Sequence, residues 1–379
     1  MDRPTIALPT SPSALLATVS QYFALSGEFV AGHPHGNGHI NDTYAITCAA
    51  PGGNVRYILQ RINARVFNDV TALMDNIRRV TEHAARKLAA IPAATHPGTQ
   101  TLTIVPTHRG AACHRDDAGH HWRCYVFVER ARTYDMPRDL GQAHEAARAF
   151  GFFQGLLADL PGPRLHETIP DFHHTRRRFD SLQRAIAADP HGRLAASRTE
   201  VAFAREREHL VDVLLALQAS GRIPERIAHN DTKLNNVMLD DTTGRGVCVI
   251  DLDTVMPGLS LYDFGDMVRS ATNSSLEDET DLGRVEMRLP VFAALTEGYL
   301  STTRGLLNAT EIGHLAFSAR LQTFEVGIRF LTDFLLGDVY FKTKHPSHNL
   351  DRCRCQFALL RRMEAQTAEM EAIVRRVSA

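Results

Sequence analysis

The stretch from Ile227 to Asp266, IAHNDTKLNNVMLDDTTGRGVCVIDLDTVMPGLSLYDFGD, holds the residues best placed to do chemistry. His229, Asp231 and Asn236 open it in a polar run. Two short apolar segments follow, NVML and VCVI, with the turn formers DDTTGRG between them. That pattern predicts a β-hairpin with a longer loop. If the two segments pair antiparallel, Asn236 starts one strand and Asp251 ends the other, so both reach the open mouth of the hairpin. The preceding loop can carry Asp231 to the same place. Mg²⁺ prefers hard oxygen ligands and takes only one or two carboxylates from protein, filling its shell with water and phosphate. Asn236 and Asp251 suit that ion. Asp231, free of the metal, suits the acceptance of a proton from a hydroxyl attacking the γ-phosphate of ATP, a role worth about 10²–10⁴ in rate. Phosphoryl transfer needs little beyond such positioning and charge neutralisation.

His229-Asn-Asp231-Thr-Lys233-Leu-Asn-Asn236 has the H-x-D-x-x-x-x-N spacing of the protein-kinase catalytic loop, and Asp251 stands where the metal-binding Asp follows. The wording HNDTKLNNV and IDLDTVMPG…YDFGD differs from protein kinases. It resembles the aminoglycoside phosphotransferase and choline kinase superfamily, and within it most of all the N-acetylhexosamine 1-kinases. GNGHINDTY, YILQRIN and FLTDFLLGDVYF…HNLDR extend the resemblance through most of the chain.

The chain of 379 residues is long enough for two lobes, each with its own core. Its formal net charge of −1 gives no electrostatic reason to expect nucleic acid or an acidic membrane. No stretch approaches the roughly 20 apolar residues of a membrane helix. The N-terminus carries Pro4, Pro9 and Pro12 and lacks the apolar core of a signal peptide. The six cysteines form no C-x-x-C pair, and Cys124 and Cys248 sit within apolar runs as small core residues. The expectation is a soluble, reduced, cytoplasmic protein, a monomer or weak homodimer.

The elements that must position the site follow from periodicity. Ser13 to Leu25 recurs apolar at helical spacing, with Ser13 as N-cap. TYAIT and VRYILQ read as strands joined by AAPGGN, and Phe67 to Leu88 as a helix. Gln100 to Val105 and Trp122 to Glu129 read as further strands. The glycines of Gly36-Asn37-Gly38 let backbone N–H groups approach phosphate closely. The resemblance makes this turn the phosphate-covering loop, with His39, Asn41 and Asp42 beside the cleft. It also makes YILQRIN the strand of the phosphate-pairing lysine, which this chain lacks. Gln60 stands near that position and Arg61 follows, and alternation lets only one of them face the cleft. Backbone groups near Glu129 correspond to the hinge that binds adenine.

Composition shifts at ARTYDMPRDLG, which places a lobe boundary between residues 130 and 131. His144 to Leu157 then reads as a buried helix and Thr199 to Ser220 as a long amphipathic one. Asp253 lies two residues beyond Asp251, on the same face if the strand continues. Asp263 reads as an anchor accepting backbone N–H bonds near the catalytic loop. From Arg284 onward the chain reads helical. There the resemblance assigns Arg329, Asp333 and Tyr340 to the acceptor side, and it puts Phe172 and His173 near the large-lobe cleft.

Taken together, the sequence predicts an α+β, two-lobed, protein-kinase-like fold. A small N-terminal lobe (residues 1–130) has an antiparallel sheet, and a larger, mostly helical C-terminal lobe (residues 131–379) carries catalysis and the acceptor. The implied reaction moves the γ-phosphate of ATP, with Mg²⁺, to the anomeric hydroxyl of N-acetylglucosamine or N-acetylgalactosamine. Asp231 is the base, Lys233 a catalytic-loop cation, Asn236 and Asp251 the metal ligands. Gly36, Asn37, Gly38, Arg61 and Glu129 attend the nucleotide; Arg329, Asp333 and Tyr340 join Asp231 at the sugar. An amino-alcohol or aminoglycoside kinase is the alternative within the class. The missing lysine motivates a second, a nucleotide-binding pseudokinase.

Overall fold

The computed structural model describes residues 12–36, 40–92 and 95–379. The chain divides into two compact units, Met1–Arg86 with Gln100–Glu129, and Lys87–Thr99 with Arg130–Ala379. Residues 87–99 therefore go with the second unit, unlike the single boundary drawn from sequence. Lys87 pairs there with Asp159 at 2.6 Å, and His96 stacks on Phe152 with ring centroids 4.1 Å apart.

The first unit holds α1 (Pro12–Ser20), β1 (Glu28–Pro34), β2 (Asp42–Ala50), β3 (Gly53–Ile62), most of α2 (Val70–Ala90), β4 (Ile104–Val105), β5 (His114–Arg115) and β6 (His121–Val126). Its antiparallel sheet runs β1-β2-β3-β6-β4, with β5 also paired to β6. One face packs Ile46, Cys48, Leu59, Trp122 and Cys124 against Leu16, Val19 and Phe23. The helix expected to reach Leu25 stops at Ser20. Beyond it Phe23 is buried and bridges Thr107, and Ala24 N–H donates to the Pro106 carbonyl at 2.9 Å, so sheet-like pairing replaces the last helical turn. The next helix starts at Val70 because the Asp69 carboxylate accepts the Ala72 N–H at 2.9 Å, a capping contact. Its buried Leu73, Ile77, Val80 and Ala84 keep the helical period.

The second unit begins with β7 (Ala131–Arg132), α3 (Leu140–Leu157), α4 (Thr175–Ala188), α5 (Arg198–Glu206) and α6 (Val213–Ala219). The short strands β8 (Arg226–Ala228), β9 (Val237–Asp240), β10 (Gly246–Val249) and β11 (Met256–Gly258) follow. Then come α7 (Ser260–Thr272), α8 (Leu289–Thr303), α9 (Ala309–Gly313), α10 (Leu315–Leu335), α11 (His348–Ala365) and α12 (Thr367–Ser378). Asp139 caps α3 by accepting the Gln142 N–H at 2.8 Å. Helices α3 and α8 pack closely enough that a Cβ on Gly298 would lie 2.1 Å from the His144 carbonyl oxygen, and one on Gly151 would lie 2.4 Å from Thr302 Oγ1. Only glycine permits that approach. Helix α10 is buried on nearly every side, with Gln322, Glu325 and Asp333 among its buried residues. The single helix expected over Thr199 to Ser220 is broken between α5 and α6. Leu210 and Val211 turn inward there, and the Arg207 guanidinium covers the Phe203 ring while pairing with Glu364. No helix among the described residues is long and apolar enough to cross a membrane.

Candidate active site

Strands β9 and β10 form the hairpin that the turn formers predict, antiparallel with Val249 opposite Val237. The Ile250 N–H donates to the Asn236 carbonyl at 2.9 Å, which closes the mouth with Asn236 on one side and Asp251 on the other. Here the chain departs from the alternation expected of it. Asp251 takes a left-handed conformation (φ 59°), and a 3-10 turn over Leu252–Thr254 replaces the continued strand. Asp253 is therefore not on a shared strand face with Asp251. Asp253 is buried and Asp251 is exposed.

The loop before the hairpin is held from below by α7. Asp263, in its first turn, accepts the N–H of His229 at 3.0 Å and of Asn230 at 2.7 Å, as expected of an anchor. Gln154 of α3 donates to the same carboxylate at 2.7 Å, and the Thr232 hydroxyl donates to the Asp263 carbonyl at 2.5 Å. Burial raises the pKa of this carboxyl, against the opposing effect of the three donors. His229 is buried against Phe150 and Phe153. Its Nε2 donates to the Ile250 carbonyl at 2.9 Å, which leaves Nδ1 to accept the Asp231 N–H at 3.3 Å. One imidazole thus ties the base-bearing loop to the residue before Asp251.

Asp231 receives the Asn236 Nδ2 on both its carboxylate (3.0 Å) and its carbonyl (2.7 Å), and Lys233 Nζ lies 2.9 Å from the other carboxylate oxygen. Burial alone would raise the Asp231 pKa. The Lys233 charge and its hydrogen bond, with the Arg269 charge adding to them, outweigh burial and hold the carboxyl below its ordinary value. Lys233 is raised in turn, first by Asp231, with Asp266 and Glu277 adding to it. Because Asn236 donates its amide nitrogen to Asp231, its Oδ1 is turned away from these two acceptors. An amide oxygen and an adjacent carboxylate are the hard donors that Mg²⁺ takes, so Asn236 and Asp251 fit that ion.

In the sheet unit, Gly36 is exposed with φ +73°; Asn37, Gly38 and His39 lie outside the described residues. Arg61 and Gln60 face opposite sides. Arg61 shares its face with Leu59 and Trp122, and its guanidinium is bound by Asp42 from β2. That pairing answers the charge expected to meet phosphate, and it ties up Asp42 as well. Gln60 lies on the other face, where its amide donates to Thr43 Oγ1 and accepts from Arg123 Nε, both at 2.9 Å. Arg123 is a buried cation on β6 that reading the sequence did not single out. Its signal is the cross-strand register, which sets Arg123 opposite Gln60. Glu129 follows β6, and its carboxylate is bound by Arg56.

On α10 and the loop after it, Arg329 lies among aromatic rings, 4.9 Å from Phe172, 5.9 Å from Tyr340 and 5.8 Å from Phe341. Tyr340 is half exposed. Asp333 requires a correction. It is buried, and its two oxygens accept the N–H groups of Val339, Tyr340 and Phe341 and the Asn349 amide at 2.8–2.9 Å. Those four donors saturate it, so it shapes the loop bearing Tyr340 and has no oxygen left for a ligand. His173 is corrected similarly: it is buried, and both ring nitrogens have protein partners.

An H-x-D-x-x-x-x-N loop feeding a hairpin with an Asp at its mouth, in a helical unit accompanied by an antiparallel sheet unit, defines the protein-kinase-like α+β fold. Residues 32–297 match the model of the phosphotransferase enzyme family (APH), and the chain belongs to that family. Among solved structures, the chain is similar to an aminoglycoside phosphotransferase from Alicyclobacillus acidocaldarius, at 14% identity and TM-score 0.56, covering 99% of this chain and 98% of the other. A choline kinase from Cryptosporidium parvum matches at 12% identity and TM-score 0.57, covering 95% and 97%. A spectinomycin phosphotransferase solved with ADP and spectinomycin matches at 10% identity and TM-score 0.55, covering 97% and 99%.

Proposed function

We propose that this phosphotransferase moves the γ-phosphoryl group of ATP to the anomeric hydroxyl of an N-acetylhexosamine, giving the sugar 1-phosphate and ADP. The observation that carries the reading is the Asp231 carboxylate, ionised and fixed by Asn236 and Lys233 at the mouth of the β9–β10 hairpin. Asp231 orients the attacking hydroxyl and takes its proton as the new P–O bond forms and the bond to the ADP oxygen breaks. A carboxylate held this low is a weak base, which suits a loose transition state that depends on positioning more than on early deprotonation. Lys233 keeps that carboxylate ionised and supplies positive charge beside it. Mg²⁺, held by Asn236 and Asp251, would neutralise charge on the phosphate oxygens.

The acceptor side favours a neutral polyol over a cationic amine. Arg178 donates to the Phe172 carbonyl at 3.1 Å, and its pKa is lowered first by burial and then by the Arg329 charge. Two neighbouring guanidiniums repel an ammonium group, whereas both can donate to sugar hydroxyl and acetamide oxygens. Phe172, Tyr340 and Phe341 offer apolar faces for a pyranose ring.

A phosphoryl-transfer assay with ATP, Mg²⁺ and a panel of N-acetylglucosamine, N-acetylgalactosamine, glucose, choline and an aminoglycoside tests this. ADP release should depend on an N-acetylhexosamine and vanish in Asp231→Asn. Turnover with choline or the aminoglycoside alone would move the substrate to the other kinases of the class. A protein that binds ATP yet transfers to nothing would be the pseudokinase that the missing lysine suggests.

A further inference from the structure

The peptide joining Asn230 to Asp231 is gripped at both edges by imidazoles from different parts of the second unit. Its N–H, belonging to Asp231, donates to His229 Nδ1 at 3.3 Å. Its carbonyl, belonging to Asn230, lies 2.9 Å from His173 Nε2. A carbonyl only accepts, so His173 Nε2 carries a proton. The opposite nitrogen, Nδ1, lies 2.6 Å from Glu325 Oε1 of α10, and the Thr175 hydroxyl donates to Glu325 Oε2.

His173 and Glu325 are both buried, separated by more than a hundred residues of chain, and used by nothing else in the proposed reaction. Burial opposes ionisation of Glu325, but His173, Arg329 and Thr175 hold its pKa below the ordinary value. A buried ion pair is weak as a source of stability, since desolvation offsets most of its attraction. Its geometric effect here is specific. Asn230 has φ +63°, a left-handed conformation that asparagine adopts more readily than most non-glycine residues, so the peptide that follows it takes its orientation from the groups bonded to its two edges. Rotation of the following peptide would swing the Asp231 side chain away from Asn236.

We infer that His173 and Glu325 are positioning residues for the base, clamping the carbonyl edge of the Asn230–Asp231 peptide while His229 clamps its amide edge. The inference rests on the kinase reading for its catalytic consequence, and on the loop geometry alone for the clamp. Helix α10 carries both Glu325 and, one turn on, Arg329, so the helix that steadies the base also presents the acceptor-side arginine.

Two substitutions at one position separate the clamp from general stability. His173→Gln places an amide nitrogen near the former Nε2 and can still donate to the Asn230 carbonyl. His173→Asn is shorter, reaches only the place of Nδ1, and loses that donor. His173→Asn keeps a donor at the Nδ1 place beside Glu325 and His173→Gln does not, so a loss of turnover confined to His173→Asn follows the Asn230 contact and not the Glu325 contact. The expected result is a kcat for His173→Asn about ten- to a hundredfold below that of His173→Gln, the cost of a small misplacement of a catalytic group, with KM for ATP and sugar unchanged. Crystal structures should show the Asn230–Asp231 peptide in place in His173→Gln and rotated in His173→Asn. Equal kcat values in the two variants, or a peptide unmoved in His173→Asn, would overturn the clamp. A wild-type protein that transfers phosphate to no acceptor would overturn the kinase reading, and the paired crystal structures would still decide the clamp.

Discussion

Replacing Asp263 by alanine removes the one acceptor for three buried donors: the His229 N–H at 3.0 Å, the Asn230 N–H at 2.7 Å and the Gln154 amide at 2.7 Å. A buried donor left unsatisfied costs about 1–3 kcal/mol, so three would cost about 3–9 kcal/mol if nothing adjusted. Two effects reduce this. Relief of the buried carboxylate's desolvation returns part of it, and water entering the vacated volume satisfies part of the rest. The expected loss is about 3–5 kcal/mol. Asp263→Asn gives a sharper comparison. With its oxygen at the Oδ2 place it keeps His229 and Gln154, and its amide then opposes only the Asn230 N–H. One lost donor predicts about 1–3 kcal/mol. Urea unfolding followed by far-UV ellipticity reads both variants, since most helices lie in the second unit. Trp122, the single tryptophan, lies in the sheet unit, so its emission is the wrong probe. Turnover of the folded variants should fall as well, because the two backbone donors fix the loop that carries Asp231. An alanine variant within about 1 kcal/mol of wild type, or an asparagine variant losing as much as alanine, would refute this account of the anchor.

Gly298→Ala should destabilise the second unit by about 1–3 kcal/mol or more, because the new methyl meets the His144 carbonyl and α3 and α8 must separate. Thermal unfolding reads it, and an unchanged midpoint would show that the two helices have slack. Glu145 accepts from Arg148 at 2.8 Å and from the Gly246 N–H at 3.1 Å; burial raises its pKa, yet His144, Arg148 and Gly246 together bring it down to about 2. A carboxyl depressed in the folded state stabilises fully above its unfolded pKa of about 4.3, and that contribution is lost as pH falls through its folded value. Glu145→Gln should therefore cost about 1–2 kcal/mol at pH 7, after allowance for solvent screening, and progressively less between pH 4 and 2. A penalty that stays constant down to pH 2 would mean that packing, and not charge, is what the substitution removes.

The hairpin is legible in the sequence because its information is local. NVML and VCVI flank a run of turn formers, and pairing them leaves only one place for Asn236 and Asp251, at the mouth. The antiparallel strands β2 and β3 and the helix α2 are readable for the same reason: alternation and period act over a few residues. What the tertiary structure decided was the partner of each charge. Arg61 looks like a spare cation in the sequence, but the register brings Asp42 beside it; Gln60 looks like a gap, but β6 sets Arg123 next to it. Asp333 looks like a ligand-binding carboxylate, and the return of the following loop uses up both its oxygens. Helix ends behave likewise, with α1 and the α5–α6 segment stopping where burial of Phe23, Leu210 and Val211 outweighs helical propensity. The His173–Glu325 pair lies beyond sequence reasoning altogether. A hydrogen bond between groups distant in the chain is set by how helices pack, and packing is a property of the whole folded unit, whereas strand register and helical period are fixed by neighbours.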